Sequence, residues 1–147
     1  AADTLAMVQA RVVKKDPEAI YNLGGYYWRG KLGLQKDRMK KAVELLTEAA
    51  KLGSIDALCH LGDAYRIGNG VQEDKATAIH FYEKAAMQGH VESRNNLGCI
   101  EAEKGNNDRA LRHLLISAKM GDNNSVETIK RAFMRGQATK AQYAEAL

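Results

Sequence analysis

Ala57-Leu58-Cys59-His60-Leu61-Gly62-Asp63-Ala64-Tyr65-Arg66-Ile67-Gly68 is the stretch whose reading decides the fold. Ala57, Leu61 and Tyr65 stand four apart, so they share one face of an α-helix. Gly68 follows as a stop, because glycine adopts the left-handed conformation that closes helices. A short turn, Asn69-Gly70-Val71-Gln72-Glu73-Asp74, comes next. Asp74 suits the start of a second helix, since its carboxylate can accept the unpaired amide hydrogens of a first turn. That helix carries Ala78, Tyr82, Ala85 and Ala86 and closes at Gly89. The unit is helix, turn, helix, stop.

The same unit recurs on both sides. Upstream, Ala19, Leu23, Gly24, Tyr27 and Gly30 make a first helix and its end. Asp37 starts a second, through Ala42, Leu45, Leu46, Ala49 and Ala50 to Gly53. Downstream stand Ser93, Leu97, Gly98, Gly105, Asp108, Ala110, Leu114, Ala118 and Gly121. A degenerate copy follows with Ser125, Ile129, Phe133 and Gly136, then Thr139 as cap of a last helix through Tyr143. There Lys130 takes the place of the Leu-Gly glycine. Residues 3–15 read as a lone second helix with Lys15 at the closing-glycine position, and Pro17 fits the first turn of the next helix.

The spacing separates what is fixed from what is free. From Leu-Gly glycine to closing glycine the distance is 29, 27 and 23 residues in successive copies. From a closing glycine to the next Leu-Gly glycine it is nine, in Gly53 to Gly62 and Gly89 to Gly98. The turn inside a hairpin tolerates insertion, and the joint between hairpins does not. Glycine inside a helix costs about 1 kcal/mol relative to alanine, so its recurrence points to helices in close approach. Val71, and Leu34 in the first copy, are placed to tuck the turn under the helices. A period of this kind predicts stacked hairpins, each stabilised by its neighbours. The expected fold is all-α, a right-handed α-α superhelix of about three and a half repeats. It is one domain over 1–147: a flanking helix (1–16), repeats at 17–54, 55–90 and 91–122, and a degenerate cap (123–147).

The pattern Ala-x3-Leu-Gly-x2-Tyr-x2-Gly-x-Gly-Val-x2-Asp, then Ala-Ala-x2-Gly, resembles the Sel-1-like repeat, a relative of the tetratricopeptide repeat. Residues 57–89 match every position. Residues 19–53 match most, with Leu32 and Gly33 in a turn two residues longer, and residues 93–121 lack the Gly-Val step. The resemblance implies a curved α-solenoid that acts as a scaffold in protein complexes. Similar repeats also lie downstream of RING-type zinc fingers, so a substrate-recognition region of a ubiquitin ligase is an alternative, as is a constitutive subunit of a larger assembly. Solenoids of this type bind along the face lined by the first helix of each hairpin. With the Leu of Leu-Gly buried, the opposite side of that helix is the expected groove. It would present Tyr21, Trp28 and Arg29 in the first copy, Cys59, Asp63 and Arg66 in the second, Asn95, Cys99 and Glu103 in the third, and Arg131 and Arg135 in the fourth. Trp and Arg are favoured interface anchors. Trp28 has a second reading, as packing against the N-terminal helix.

Charge and composition bound the remaining classes. Net charge is +4, distributed as +4 over residues 1–54, −4 over 55–103 and +4 over 104–147. Lys36, Arg38, Lys40 and Lys41 form the densest basic cluster, read as a solvated helix start. Nucleic-acid binding is not expected without aromatic interleaving or a recognised module. No run approaches the length of a membrane span, and the first residues lack a signal-peptide pattern. The chain starts at Ala1, not Met, and is expected to be processed or a piece of a longer protein. Two cysteines do not make a disulfide framework, so an intracellular compartment, cytoplasmic or nuclear, is preferred. His60, His80, His90 and His113 show no zinc-ligand spacing, and Cys59-His60 with Cys99 is the best available cluster for a metal or a nucleophile. The expectation is no enzyme, no cofactor and no metal, a protein or peptide partner, and a monomer. An enzyme or small-ligand site around Cys59 and Cys99 is the competing reading, as it would need a base and an anion-stabilising pocket.

Overall fold

The structure, a computed structural model, describes residues 2–30 and 38–147, with side chains from Ala6 onward. Lys36, Asp37, Leu32, Gly33 and Leu34, named above, lie outside the described residues. The described chain is all-helical: α1 (Ala2–Val13), α2 (Pro17–Arg29), α3 (Arg38–Lys51), α4 (Ile55–Ile67), α5 (Lys75–Met87), α6 (Val91–Glu103), α7 (Asn107–Lys119), α8 (Asn123–Met134) and α9 (Lys140–Ala146). No helix among the described residues is long and apolar enough to cross a membrane. The fold class is that of stacked α-hairpins. Two compact units divide it, Ala1–Lys84 and Ala85–Leu147, with the border inside α5.

The invariant joint has a local cause. Each second helix ends on a left-handed residue, and the residue after it caps the next helix. Gly53, Gly89 and Gly121 have φ of 102°, 88° and 97°, and Ser54, His90 and Asp122 are the caps that follow. The cap's own amide reaches back to a carbonyl five residues earlier, Ser54 to Ala49 at 2.9 Å, His90 to Ala85 at 3.1 Å and Asp122 to Ser117 at 3.1 Å. Stop and start are therefore one hydrogen-bonded piece, and no residue can be inserted without breaking it. Among the described hairpin turns, the one between α6 and α7 closes the same way, with Gly105 left-handed and the Asn106 amide on the Glu101 carbonyl at 2.9 Å, whereas the one between α4 and α5 is longer and bonds from the Asp74 amide back to Tyr65 at 2.8 Å.

The first joint departs in residue type only. Lys15 stands in the glycine's place with φ 57°, its amide on the Val12 carbonyl at 2.9 Å and the Asp16 amide on Arg11 at 3.1 Å. Asp16 caps α2 by accepting from the amides of Glu18 and Ala19, and Arg11 donates to it at 2.8 Å. A lysine held left-handed costs roughly 1–2 kcal/mol, partly offset by the extra entropy a glycine loses on folding. Lys15→Gly is therefore expected to stabilise by about 0.5–1 kcal/mol, and Lys15→Ala to give no gain. Paired thermal melts decide it: equal melting for Lys15→Gly and the parent would show that the position carries no strain.

In the first unit one core joins Ile20, Val43, Leu46, Ala49, Ala57, Leu61 and Ala64, and a second sets Val8 of α1 against Ala19 and Leu23 of α2. Val71 packs against the first of these from the turn. Asp74 starts α5 as expected, accepting from the Thr77 amide at 3.1 Å and the Thr77 hydroxyl at 2.7 Å. Tyr65, expected on the buried face, is half-buried and stacks on Phe81 with centroids 5.7 Å apart.

The second unit centres on Leu111, Leu114, Ile129, Ala138 and Ala146. Thr139 and Gln142 form a reciprocal capping box for α9. Asn106, not Asp108, holds the cap position of α7; its side chain donates to Glu101 at 2.8 Å, while Asp108 lies inside the first turn. The serines that replace alanine are fully buried, and each hydroxyl has a partner. Ser93 meets the His90 ring nitrogen at 2.9 Å, Ser117 donates to the Val91 carbonyl at 3.4 Å, and Ser125 donates to Asp122 at 2.5 Å. Small size is what those positions demand, and a bonded hydroxyl meets it without stranding a polar group.

Candidate functional site

The first helix of each hairpin carries the residues expected to face a partner, and the structure distributes them unequally. In the first unit Tyr21 of α2 and His60 of α4 stack, with centroids 5.3 Å apart and planes 24° from parallel. Trp28, about two turns further along α2, lies 6.3 Å from the same imidazole. Both aromatics are half-buried and lean on the core around Ile20 and Leu61. Each is fixed in place while part of its ring stays accessible, which suits a contact surface with little side-chain entropy left to lose. Nδ1 of His60 is buried without a hydrogen-bond partner among the described residues. His60 was not among the expected groove residues. Its position, one before the Leu, is held by Asn22 and Asn96 in the flanking copies, so only its aromatic character could have signalled it.

Arg29 is exposed and folds back, its guanidinium 5.8 Å from the centre of the Tyr26 ring. Gly25 permits this, since a Cβ there would stand 3.2 Å from the guanidinium. A surface cation–π contact of this kind contributes about 0.5–1 kcal/mol and leaves the arginine's hydrogen-bond donors open to solvent. Arg66 is half-buried.

Two residues of α4 serve the interior instead. Cys59 is 3% exposed, so it does not line a contact surface. A thiol so enclosed offers a substrate little access, which counts against Cys59 in the competing enzyme reading. Asp63 accepts a hydrogen bond from the Tyr82 hydroxyl at 2.5 Å, tying α4 to α5. Burial first, then that hydrogen bond and the charge of Asp63, push the Tyr82 phenol far above its ordinary range.

In the second unit Asn95 of α6 donates to Asp122 at 2.9 Å and to Ser125 at 2.8 Å, bridging to the start of α8. Cys99 donates to the side-chain Oδ1 of Asn95 at 3.5 Å. Burial opposes ionisation of Asp122, but the hydrogen bonds from Ser125, Asn95 and the Asn124 amide outweigh it and hold the carboxyl below the usual range. Asn95 and Cys99 therefore brace one helix against the next, with part of each side chain still accessible. Glu103 is exposed at the end of α6. Arg131 and Arg135 are exposed and come together on one wall of a cavity of about 250 Å³ between α6, α7 and α8.

Comparison with known proteins resolves what kind of scaffold this is. The Sel1 repeat profile matches residues 17–54, 55–90 and 92–122. The chain belongs to the Sel1 repeat family. Among solved structures, a Sel1 repeat protein from Oxalobacter formigenes superimposes with a TM-score of 0.84 at 24% identity, over 98% of this chain and 60% of that one. A protective antigen present in uropathogenic Escherichia coli strains, displaying the same repeat fold, gives a TM-score of 0.81 at 24% identity, over 97% of this chain and 32% of its own. At that identity the likeness is one of fold. Among curated proteins, Chitin synthase regulatory factor 3 of Schizosaccharomyces pombe is 32% identical over 84 residues, which is 57% of this chain and 9% of that protein. The chain thus spans a small part of that relative. Sel1 repeats are in general helical scaffolds for protein–protein interaction and not typically enzymes.

Proposed function

We propose that this chain is a protein-interaction module that holds a peptide or helix of a partner against the first helices of its hairpins. In the first unit the contact surface is Tyr21, Trp28 and Arg29 on α2, with His60 and Arg66 on α4. In the second it is Arg131 and Arg135, with Glu103, Asn95 and Cys99 contributing at the margin. The observation that carries this reading is the Tyr21–His60–Trp28 group, three aromatic rings set against the core and left partly open at a position where the repeat does not need them. Interfaces concentrate their energy in such aromatic and arginine anchors. The kinship with a protein named as a regulatory factor is in keeping with action through binding.

The test is affinity capture with the immobilised chain, comparing the parent with Trp28→Ala and, separately, Arg131→Glu. A central anchor is worth about 2 kcal/mol or more, so Trp28→Ala is expected to weaken captured partners by roughly 30-fold while circular dichroism stays helical. Recovery of the same proteins at the same strength by both variants would remove this surface from consideration.

A further inference from the structure

The cavity between α6, α7 and α8 has a specific chemistry. Its floor is made of Leu111 and Leu114, both nearly fully buried, with Ala132 beside them. Its polar wall holds Arg131, in the last turn of α8, and Arg135, the residue that caps its C-terminus four positions on. No carboxylate lines it. Among the described residues neither guanidinium has an ion-pair partner, although Glu127 lies one turn before Arg131 on the same helix. Two arginines without counter-charge beside an apolar floor call for an occupant that is anionic and apolar at once.

We propose that this cavity docks a partner segment in which one large apolar side chain is followed or preceded by an internal Asp or Glu. The apolar side chain fills the floor, and the neighbouring carboxylate accepts from Arg131 and Arg135. The volume selects a side chain over a small molecule: about 250 Å³ falls below the roughly 300–1,000 Å³ typical of small-molecule sites. The charge distribution sets the order of groups. The floor is apolar and the cations stand on one wall, so the acid stays at the wall and only the apolar neighbour descends. Arginine's planar fork pairs bidentately with a carboxylate, which gives the pocket a preference for acid over amide. The proposal rests on the module reading above and assigns one of its two surfaces a ligand class.

The experiment titrates the isotope-labelled full chain with blocked nonapeptides, acetylated and amidated, that differ only at the centre: Glu-Leu, Gln-Leu or Glu-Ala. A fourth peptide ends in Leu with a free carboxylate and has no internal acid. With the Glu-Leu peptide, amide shifts are expected around Ala102, Ala132 and Gln137. Gln-Leu and Glu-Ala should bind at least 10-fold more weakly, and binding should fall with added salt. Arg131→Gln combined with Arg135→Gln should lose at least 10-fold. Ala102→Trp, which fills the mouth from an exposed position, should abolish binding without loss of helix. Absence of shifts at those amides, or equal binding of Glu-Leu and Gln-Leu, overturns the proposal. Tighter binding of the free-carboxylate peptide overturns the internal-acid assignment in favour of a chain terminus. Capture that depends on Trp28 but gives no shifts here would leave the module reading standing and remove this pocket alone.

Discussion

Gly62→Ala is expected to destabilise the protein by about 2–3 kcal/mol, against a background in which the same change at Gly24 is nearly neutral. Both glycines lie inside a helix, and replacing either by alanine gains about 1 kcal/mol of helix propensity. What differs is the neighbour. A Cβ on Gly62 would stand 2.5 Å from Cε1 and 2.6 Å from Cδ1 of Tyr82. That ring is fully buried and is held at its far end by Asp63, so it cannot swing aside. Overpacking of this kind costs about 1–3 kcal/mol, occasionally more, beyond the propensity gained. At Gly24 the new atom would meet Leu46 and Leu45 at 3.3 and 3.4 Å, a contact a small leucine shift can absorb. The double variant Gly62→Ala with Tyr82→Leu puts a leucine opposite the new methyl, as Leu46 and Leu114 stand opposite Gly24 and Gly98 in the first and third hairpins. It should recover most of the loss. Parent-like melting of Gly62→Ala alone would show that the repeated glycine serves something other than close approach.

Tyr82→Phe separates the ring from its hydroxyl. It keeps the packing on Gly62 and removes the bond to Asp63, at a cost of about 1–1.5 kcal/mol for a half-exposed charged acceptor. The alkaline limb gives a second readout. Because the folded phenol is raised, its stabilising contribution is complete below the ordinary tyrosine value of about 10 and is lost as pH climbs through the folded value. The parent is therefore expected to lose stability above about pH 10, and Tyr82→Phe to show a shallower decline than the parent over the same window.

The second large effect lies in the degenerate copy. Ile129→Ala should cost about 3 kcal/mol, within the usual 2–5 kcal/mol for such core truncations. Ile129 is fully buried among Leu111, Leu114, Ala138 and Ala146. Beside it Phe133 and Tyr143 stack with centroids 5.4 Å apart. Removing three carbons there opens a cavity bounded by three helices, and none of them can collapse into it alone. Met134→Ala, on an exposed side chain five residues on, is the control and should change stability by less than about 0.5 kcal/mol. Denaturant unfolding followed by hydrogen exchange in α8 and α9 measures both. A cost below about 1 kcal/mol for Ile129→Ala would mean that this copy is not a packed repeat.

The hairpins, their stops and their starts were legible in the amino-acid order because they rest on interactions within five residues. Closing glycines, left-handed φ, capping side chains and the four-residue stripe are all local. Their constant nine-residue joint is one such interaction repeated. The same locality explains why Lys15 could be recognised in the place of a glycine. Which glycine is crowded, and by what, could not be read there. Gly24, Gly62 and Gly98 look alike in sequence, yet only Gly62 lies under a tethered tyrosine. The partner-facing set was drawn by rotating one helix about its own Leu, a rule that ignores side-chain length and the neighbouring helix. It leaves Arg131 and Arg135 exposed, but it cannot show that His60 stacks on Tyr21 or that Cys59 is buried. Asn95, Asp122 and Ser125 meet across 27 and 30 residues of chain, and no spacing rule predicts that pairing. Periodicity along one helix fixes which side is apolar; the rotation and depth at which two helices meet depend on every side chain between them, and only the folded packing sets those.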